Sequence, residues 1–286
     1  MNPRLDIQKV GIVGCGQMGS GYTQLCAQKG FQVVVSEVND ELLNKGLALI
    51  NSRLTEGVSR DELSGQDKSA ILAQIKGTTN LQNFSDCDLV IEAATERIEV
   101  KKKIFADLDK VCPEDVILGT NTSVLSVLDI AMATTRPQNV VGIHMNPLIM
   151  PAAEIIRTIV TSDETVEVAR TFGQSLDKTC IIAPDIPGFI GNRLITPLLL
   201  SAIRMVEGNI ASKEDIDTTF TTAFGWPMGP LAMADVIGLD TLLLGTKAMY
   251  EELREPQFVP PVILRKMVTA GWLGYKNGKG FYEYDR

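Results

Sequence analysis

The stretch Val10-Gly-Ile-Val-Gly-Cys-Gly-Gln-Met-Gly-Ser-Gly21 restricts the possible folds more than any other part of this chain. An apolar run containing Val10, Ile12 and Val13 enters Gly14-Cys15-Gly16-Gln17-Met18-Gly19. Helix-compatible residues follow, with Tyr22, Leu25, Cys26 and Ala27 at roughly helical spacing. Strand, tight turn and helix start form the context in which G-x-G-x-x-G signifies a dinucleotide site. Gly14 serves the sharp turn, Gly16 the close approach of backbone to a pyrophosphate, and Gly19 the packing of helix on strand. The first helical amides, at Gln17 and Met18, then face the phosphate charge. A glycine turn without a ligand is the alternative, and the rest of the chain has to decide between the two.

A length of 286 residues suits one large domain or two ordinary ones. It is enough to bury a core without disulfide staples. Apolar residues make up 45% and charged residues 22%, the balance of a soluble globular protein. A net charge of −8 argues against nucleic-acid binding, which needs a basic surface. No apolar run approaches the roughly 18 residues that a membrane span requires, and the first residues lack the apolar core of a signal peptide. The expected location is the cytoplasm. The five cysteines have no C-x-x-C spacing and read as reduced, buried thiols. With one histidine in the chain, a histidine-rich metal site is not expected.

The β-branched run over 31–35 predicts a second buried strand, ending at Ser36-Glu37. Glu37 lies 18 residues after Gly19, where a carboxylate meets an adenine ribose diol. It would repel a 2′-phosphate, and Asn39, Asp40 and Glu41 supply no arginine to receive one, so NAD is favoured over NADP. Residues 40–76 predict a helical hairpin, its second run over 69–75. Strands are predicted over 88–94, 116–119 and 140–143, a charged helix over 99–110, and β-like runs over 154–159 and 179–183. This alternation implies an α/β fold: a Rossmann-type, doubly wound, mainly parallel sheet over residues 1–184, with the hairpin as an insertion.

At Pro184-Asp-Ile-Pro-Gly188 the pattern becomes helical, with runs over 192–207, 212–224, 232–254 and 262–269. Residues 185–286 are therefore expected to form a helical C-terminal domain. Its plentiful apolar residues, including Leu198 to Leu200 and Leu242 to Leu244, suit either an internal core or a homodimer face.

In an open α/β sheet the ligand lies beyond the carboxyl ends of the strands. Glu37, Glu96, Asn121, Ser123, His144 and Asn146 all fall at such ends. His144 suits a general base near neutral pH. Glu154, ten residues on, is the candidate to orient its ring and stabilise the protonated form. A hydrogen-bonded structural histidine is the alternative.

Several segments together give the chain a family likeness over nearly its whole length. Val13-Gly-Cys-Gly-Gln-Met-Gly19 opens the series, followed by Glu92-Ala-Ala-Thr-Glu96 with Lys101, Asn121-Thr-Ser123 and Gly142-Ile-His144. Pro187-Gly-Phe-Ile-Gly-Asn192-Arg193, Ser212-Lys-Glu-Asp-Ile-Asp217 and Pro227-Met-Gly-Pro230 come next. Gly238-Leu-Asp240 and Gly278-Lys-Gly-Phe-Tyr282 complete it. In these segments the chain resembles the short-chain 3-hydroxyacyl-CoA dehydrogenases, including the 3-hydroxybutyryl-CoA dehydrogenases. The resemblance implies NAD-dependent oxidation of a 3-hydroxyacyl thioester in fatty acid metabolism. His144 would take the hydroxyl proton while hydride leaves the same carbon for the nicotinamide. It implies further that Glu154 pairs with His144, and that Ser123 and Asn192 hydrogen-bond the reacting oxygen. Glu96, Lys101, Asn146 and Lys276 fall where the family contacts NAD.

The chain also departs from the family. The usual His-Phe-Phe-Asn-Pro is shortened by one residue to His144-Met-Asn-Pro147, and a lysine is replaced by Pro151. The family's serine and lysine contacts to coenzyme A have no clear counterpart in the hairpin. There Lys45, Arg53, Arg60 and Lys68 mix with Glu56, Asp61, Glu62 and Asp67. The second reading is therefore a dehydrogenase of hydroxyacyl groups, such as glyceryl, on an acyl carrier protein. A β-hydroxyacid dehydrogenase would carry a lysine base where this chain has Thr196. A noncatalytic, crystallin-like relative would have no need to keep Ser123, His144, Glu154 and Asn192.

Overall fold

The computed structural model describes residues 6–284, and its backbone divides into two compact units between Asp185 and Ile186. The first unit begins with β1 (Lys9–Val13), α1 (Gln17–Gln28) and β2 (Gln32–Ser36). Next come α2 (Asp40–Ser59), α3 (Gly65–Ala73), β3 (Ile75–Thr78), β4 (Leu89–Glu92) and α4 (Ile98–Val111). The unit continues through β5 (Ile117–Thr120), α5 (Val127–Ala131) and β6 (Val140–His144). It closes with β7 (Ala152–Arg157), α6 (Asp163–Ser175) and β8 (Thr179–Pro184). Among the described residues, the eight strands form one sheet in the order β3-β2-β1-β4-β5-β6-β7-β8.

The first six strands are parallel, and the order reverses between β1 and β4. Right-handed crossovers from such a point carry the helices to opposite faces, and the switch point, where open α/β sheets bind their ligands, lies beyond Val13 and Glu92. The central strands are buried nearly end to end, as a sheet covered on both faces requires. On one face, Val10, Ile12, Val33, Ile91, Val141 and Ile155 pack with Tyr22 and Cys26 of α1, Ile50 and Leu54 of α2, and Phe172 of α6. On the other, Gly11 leaves room for the Phe84 ring, which a Cβ there would strike at 2.3 Å.

β7 and β8 run opposite to the first six strands. The antiparallel register pairs Gly142 with Ile156, Ile143 with Ile155 and His144 with Glu154.

The hairpin's second helix is present, but its bounds differ from the predicted 69–75. The helix is α3, already started at Gly65 behind a capping box of Ser64 and Asp67, and the chain then enters β3. That strand is four residues long and includes Lys76 and Gly77, so it shows no apolar alternation. It is held by pairing with β2 and by Leu43 and Leu47 of α2 lying over Gly77. α5 and α6 also go beyond the predicted elements. The start of α6 carries a local signal, since Ser162 accepts from Thr165 N and Asp163 and Glu164 fill the first turn.

The second unit contains α7 (Gly191–Glu207), α8 (Lys213–Ala223), α9 (Pro230–Ile237), α10 (Leu239–Leu253) and α11 (Val262–Thr269). The single helix predicted over 232–254 is two helices, because Gly238 sits at φ +97° and interrupts the run. Leu199, Leu200, Ile203, Leu231, Leu239, Leu242 and Leu264 form this unit's core. Two buried carboxylates join its parts. Asp217 accepts from Leu231 N, Ala232 N and Tyr282 Oη. Asp235 accepts from Phe281 N, Tyr282 N and Tyr284 Oη, and burial nonetheless raises its pKa. Among the described residues, no helix is long and apolar enough to cross a membrane.

Asp235→Ala leaves three donors without their acceptor and is expected to cost about 3 kcal/mol of stability. Urea unfolding measures the loss, and faster amide exchange at residues 281–282 localises it.

Candidate active site

The glycine turn has the shape that a diphosphate requires. Gly14 adopts φ +95°, and a Cβ there would stand 2.9 Å from Ala93 O. A Cβ on Gly19 would lie 1.8 Å from Gly14 O, so helix and turn close on each other only with glycine at this position. Gly16 differs from both, because a Cβ on it would meet no atom within 4 Å. That open space is where an anion can come up to the backbone. Gly16 is also the N-cap residue of α1 and brings no side chain to satisfy the helix's first amides. Gln17 is exposed and Met18 half-buried beside it.

Glu37, just past the end of β2, turns back to this loop. Its Oε1 accepts from Cys15 N at 2.7 Å and its Oε2 from Val38 N at 3.1 Å. Arg53 of α2 donates to Ser20 Oγ at 3.0 Å, a cation that adjacency in sequence does not bring to α1. Cys15 is buried, and burial, then Glu37, push its thiol up to about 12 while Arg53 opposes them. It is an inert thiol in the turn and no nucleophile.

The polar cluster lies at the carboxyl ends of β5 and β6, with Glu154 supplied by β7. His144 Nδ1 stands 2.8 Å from Glu154 Oε2, and His144 Nε2 stands 3.1 Å from Ser123 Oγ. The first contact follows from the β6–β7 register, which places the two residues opposite each other. With a proton on Nδ1 donated to the carboxylate, Nε2 carries the lone pair and points at the serine. Both side chains of the His144–Glu154 pair are largely shielded from solvent.

Ser123 is held in place by carboxylates. Its backbone N donates to Glu96 Oε1 at 2.9 Å, and Thr122 Oγ1 donates to the same oxygen. Glu96 Oε2 lies 3.4 Å from Lys101 Nζ. Lys101 is itself buried and contacts both oxygens of buried Glu92, at 2.7 and 2.9 Å. Glu92 also accepts from Thr120 Oγ1 and Ala94 N, each at 2.7 Å. Downstream, Asp185 accepts from Val127 N and Leu128 N at the start of α5. Glu92, Thr120, Thr122 and Asp185 go beyond the site residues predicted from sequence. For Glu92 a signal exists, since a carboxylate ending a wholly apolar strand needs a buried partner.

Asn121 turns its Oδ1 toward Met145 N, 3.1 Å away. Asn146 is half-buried, and its carbonyl accepts from Met150 N at 3.0 Å in the shortened loop. That loop is fastened by Lys178, whose Nζ donates to Pro147 O and Met150 O, both at 2.7 Å. Pro147 lies over Gly21 of α1, where a Cβ would come within 2.8 Å. Asn192 and Lys276 belong to the helical unit. Asn192 is the second residue of α7 and half-buried, and Lys276 pairs with Asp240.

The chain matches two family models. The model for the 3-hydroxyacyl-CoA dehydrogenase NAD binding domain covers residues 9–186, and the model for the 3-hydroxyacyl-CoA dehydrogenase C-terminal domain covers residues 188–284. A 3-hydroxybutyryl-CoA dehydrogenase of Mycobacterium tuberculosis is 42% identical over 282 residues, 97% of this chain and 99% of that protein. Among solved structures, FadB2 of Mycobacterium tuberculosis superposes with a TM-score of 0.96 at 42% identity, covering 98% of this chain and 99% of that one. An (S)-3-hydroxybutyryl-CoA dehydrogenase from Ralstonia eutropha gives a TM-score of 0.93 at 38% identity, covering 98% and 100%.

Iodoacetamide at pH 8 is expected to leave Cys15 unmodified in the folded protein, because its thiol is buried and pushed up to about 12. Peptide mass spectrometry after native labelling checks this, and rapid labelling of Cys15 would contradict it.

Proposed function

The chain belongs to the 3-hydroxyacyl-CoA dehydrogenase family, and from that premise we propose that Ser123, His144 and Glu154 carry out its proton transfer. The protein is an NAD-dependent oxidoreductase that interconverts a 3-hydroxyacyl thioester and its 3-ketoacyl form. The observation that supports the assignment most directly is the pair of contacts on the chain's one histidine, carboxylate on Nδ1 and hydroxyl on Nε2.

The turn at Gly14, Gly16 and Gly19, opening into Gln17 and Met18, suits the pyrophosphate of NAD, and Glu37 beside it suits the adenine ribose. When bound, NAD supplies the hydride acceptor for the substrate carbon. Glu154 holds the imidazole in the tautomer with Nδ1 protonated and stabilises the charged ring after transfer. Nε2 takes the proton of the 3-hydroxyl, and Ser123 Oγ hydrogen-bonds the same oxygen. In reduction the imidazolium returns that proton. Glu96, Lys101, Asn146 and Lys276 complete the reading on the cofactor side, with Lys101 acting through the two carboxylates it joins. Asn192 completes it on the substrate side.

The thioester in this reading is an acyl-CoA, in fatty acid metabolism in the cytoplasm. An acyl-carrier-protein thioester is the second reading, and an observation in the hairpin favours keeping it. Arg53 donates to Ser20, Arg60 pairs with Glu56 and Lys68 donates to Thr55, so three of the four basic groups predicted there are engaged within the chain. The reading extends to a homodimer, supported by apolar residues exposed on the helical unit, among them Leu194 at 73% and Phe224 at 65%.

NADH oxidation followed in parallel with acetoacetyl-CoA and with 3-ketoacyl groups on carrier protein decides the thioester. Turnover of acetoacetyl-CoA is expected, and turnover of the carrier-bound substrate alone would overturn the coenzyme A reading. In the same assay His144→Ala is expected to abolish turnover while NADH binding, read by fluorescence, changes little.

A further inference from the structure

Tyr22 lies in the second turn of α1, just behind the glycine turn, and its side chain is completely buried. A tyrosine in an apolar layer needs a partner for its hydroxyl. Here Oη stands 2.7 Å from Ile143 O and 2.8 Å from Asn121 Oδ1. Ile143 directly precedes His144. Asn121 Oδ1 in turn accepts from Met145 N, which directly follows it. The peptide groups on both sides of His144 therefore have partners at the Tyr22 hydroxyl, Ile143 O as its direct acceptor and Met145 N on the Asn121 oxygen that is its other acceptor.

The contacts lie where strand pairing stops. The β5–β6 register ends at Thr120 and Gly142, so His144 projects past its neighbour on that side. On the other side the β7 ladder continues to Glu154. The Tyr22 hydroxyl takes up Ile143 O at the gap. It has one proton for two acceptors, so it donates to one at a time. Burial raises its pKa well above the phenol range and keeps that proton in place.

We infer that Tyr22 is a positioning residue, tying the backbone of His144 to the helix whose N-terminus receives the cofactor's phosphates. The inference rests on the reading of His144 as the base. Its consequence is geometric, because a displacement of about 1 Å at a reacting group can cost up to about a hundredfold in rate. The coupling also has a direction. Anything that settles α1 against the diphosphate settles the strand end that presents the imidazole.

Tyr22→Phe removes Oη and leaves the ring in its apolar surroundings. The expected result is a fall in kcat of about tenfold or more, with the NADH dissociation constant and the thioester KM within about twofold of the parent. The primary isotope effect with 4-deuterated NADH is expected to rise, as the chemical step slows relative to product release. A purely structural role would lower Tm and the folded fraction without moving that isotope effect. Asn121→Ala provides a second variant, and its effect on kcat combined with Tyr22→Phe is expected to be less than the product of the two.

A Tyr22→Phe kcat within twofold of the parent, with an unmoved isotope effect, would overturn the inference, as would multiplicative effects in the double variant. His144→Ala separates the two levels. Turnover in that variant would sink the base assignment, whereas an inactive His144→Ala beside an unimpaired Tyr22→Phe would sink this inference alone.

Discussion

Glu154 Oε2 meets His144 Nδ1 at 2.8 Å because β7 returns antiparallel along β6 and sets the two residues opposite each other. Strand side chains alternate faces, so a slip of one residue would turn the carboxylate to the wrong side of the sheet. Much of the surrounding structure protects that register. Ile143 and Ile155 pair beside it in the buried core. Lys178 ties two carbonyls of the connecting loop, and Thr179 N donates to Pro151 O at its far end. Pro147 rests against α1 where Gly21 leaves space. The shortened loop after His144 is thus a fastened turn, and it still delivers Glu154 to the imidazole.

The serine side of the site depends on a different device. Glu92 and Lys101 are charged groups in a region without solvent, where each isolated ion would cost several kcal/mol. Their contacts at 2.7 and 2.9 Å offset that cost, and Thr120 and Ala94 occupy the remaining acceptor positions. The ammonium also reaches Glu96, whose other oxygen holds Thr122 and Ser123. Removing either buried partner would leave an uncompensated charge inside the sheet. What the pair secures is the placement of a loop, and through that loop the serine beside the histidine.

The local parts of this arrangement were legible in the sequence. The glycine turn, the acidic end of β2 and the polar ends of β4, β5 and β6 are short patterns whose meaning comes from strand, turn and helix in succession. The family resemblance then assigned roles to residues such as Glu154 that spacing alone leaves open. Other parts depended on tertiary context. β3 has no apolar alternation and forms because β2 and α2 lie beside it. Gly238 ends one helix and begins another although apolar spacing runs through it. Lys101 falls, by the resemblance, among the NAD contacts, and nothing in its charged helix indicates that Glu92 lies beneath it. Tyr22 reads as one more core residue of α1, because nothing in its sequence neighbourhood indicates where its hydroxyl ends up.

We propose that one imidazole, oriented by Glu154 and facing Ser123, moves the substrate proton. Chemical rescue isolates that role. His144→Ala leaves a space where free imidazole can act as the base, so the lost oxidation of a 3-hydroxyacyl thioester should return in proportion to added imidazole. Near-native turnover of His144→Ala without imidazole, or a lost rate that no concentration of imidazole restores while NADH still binds, would rule out His144 as the base.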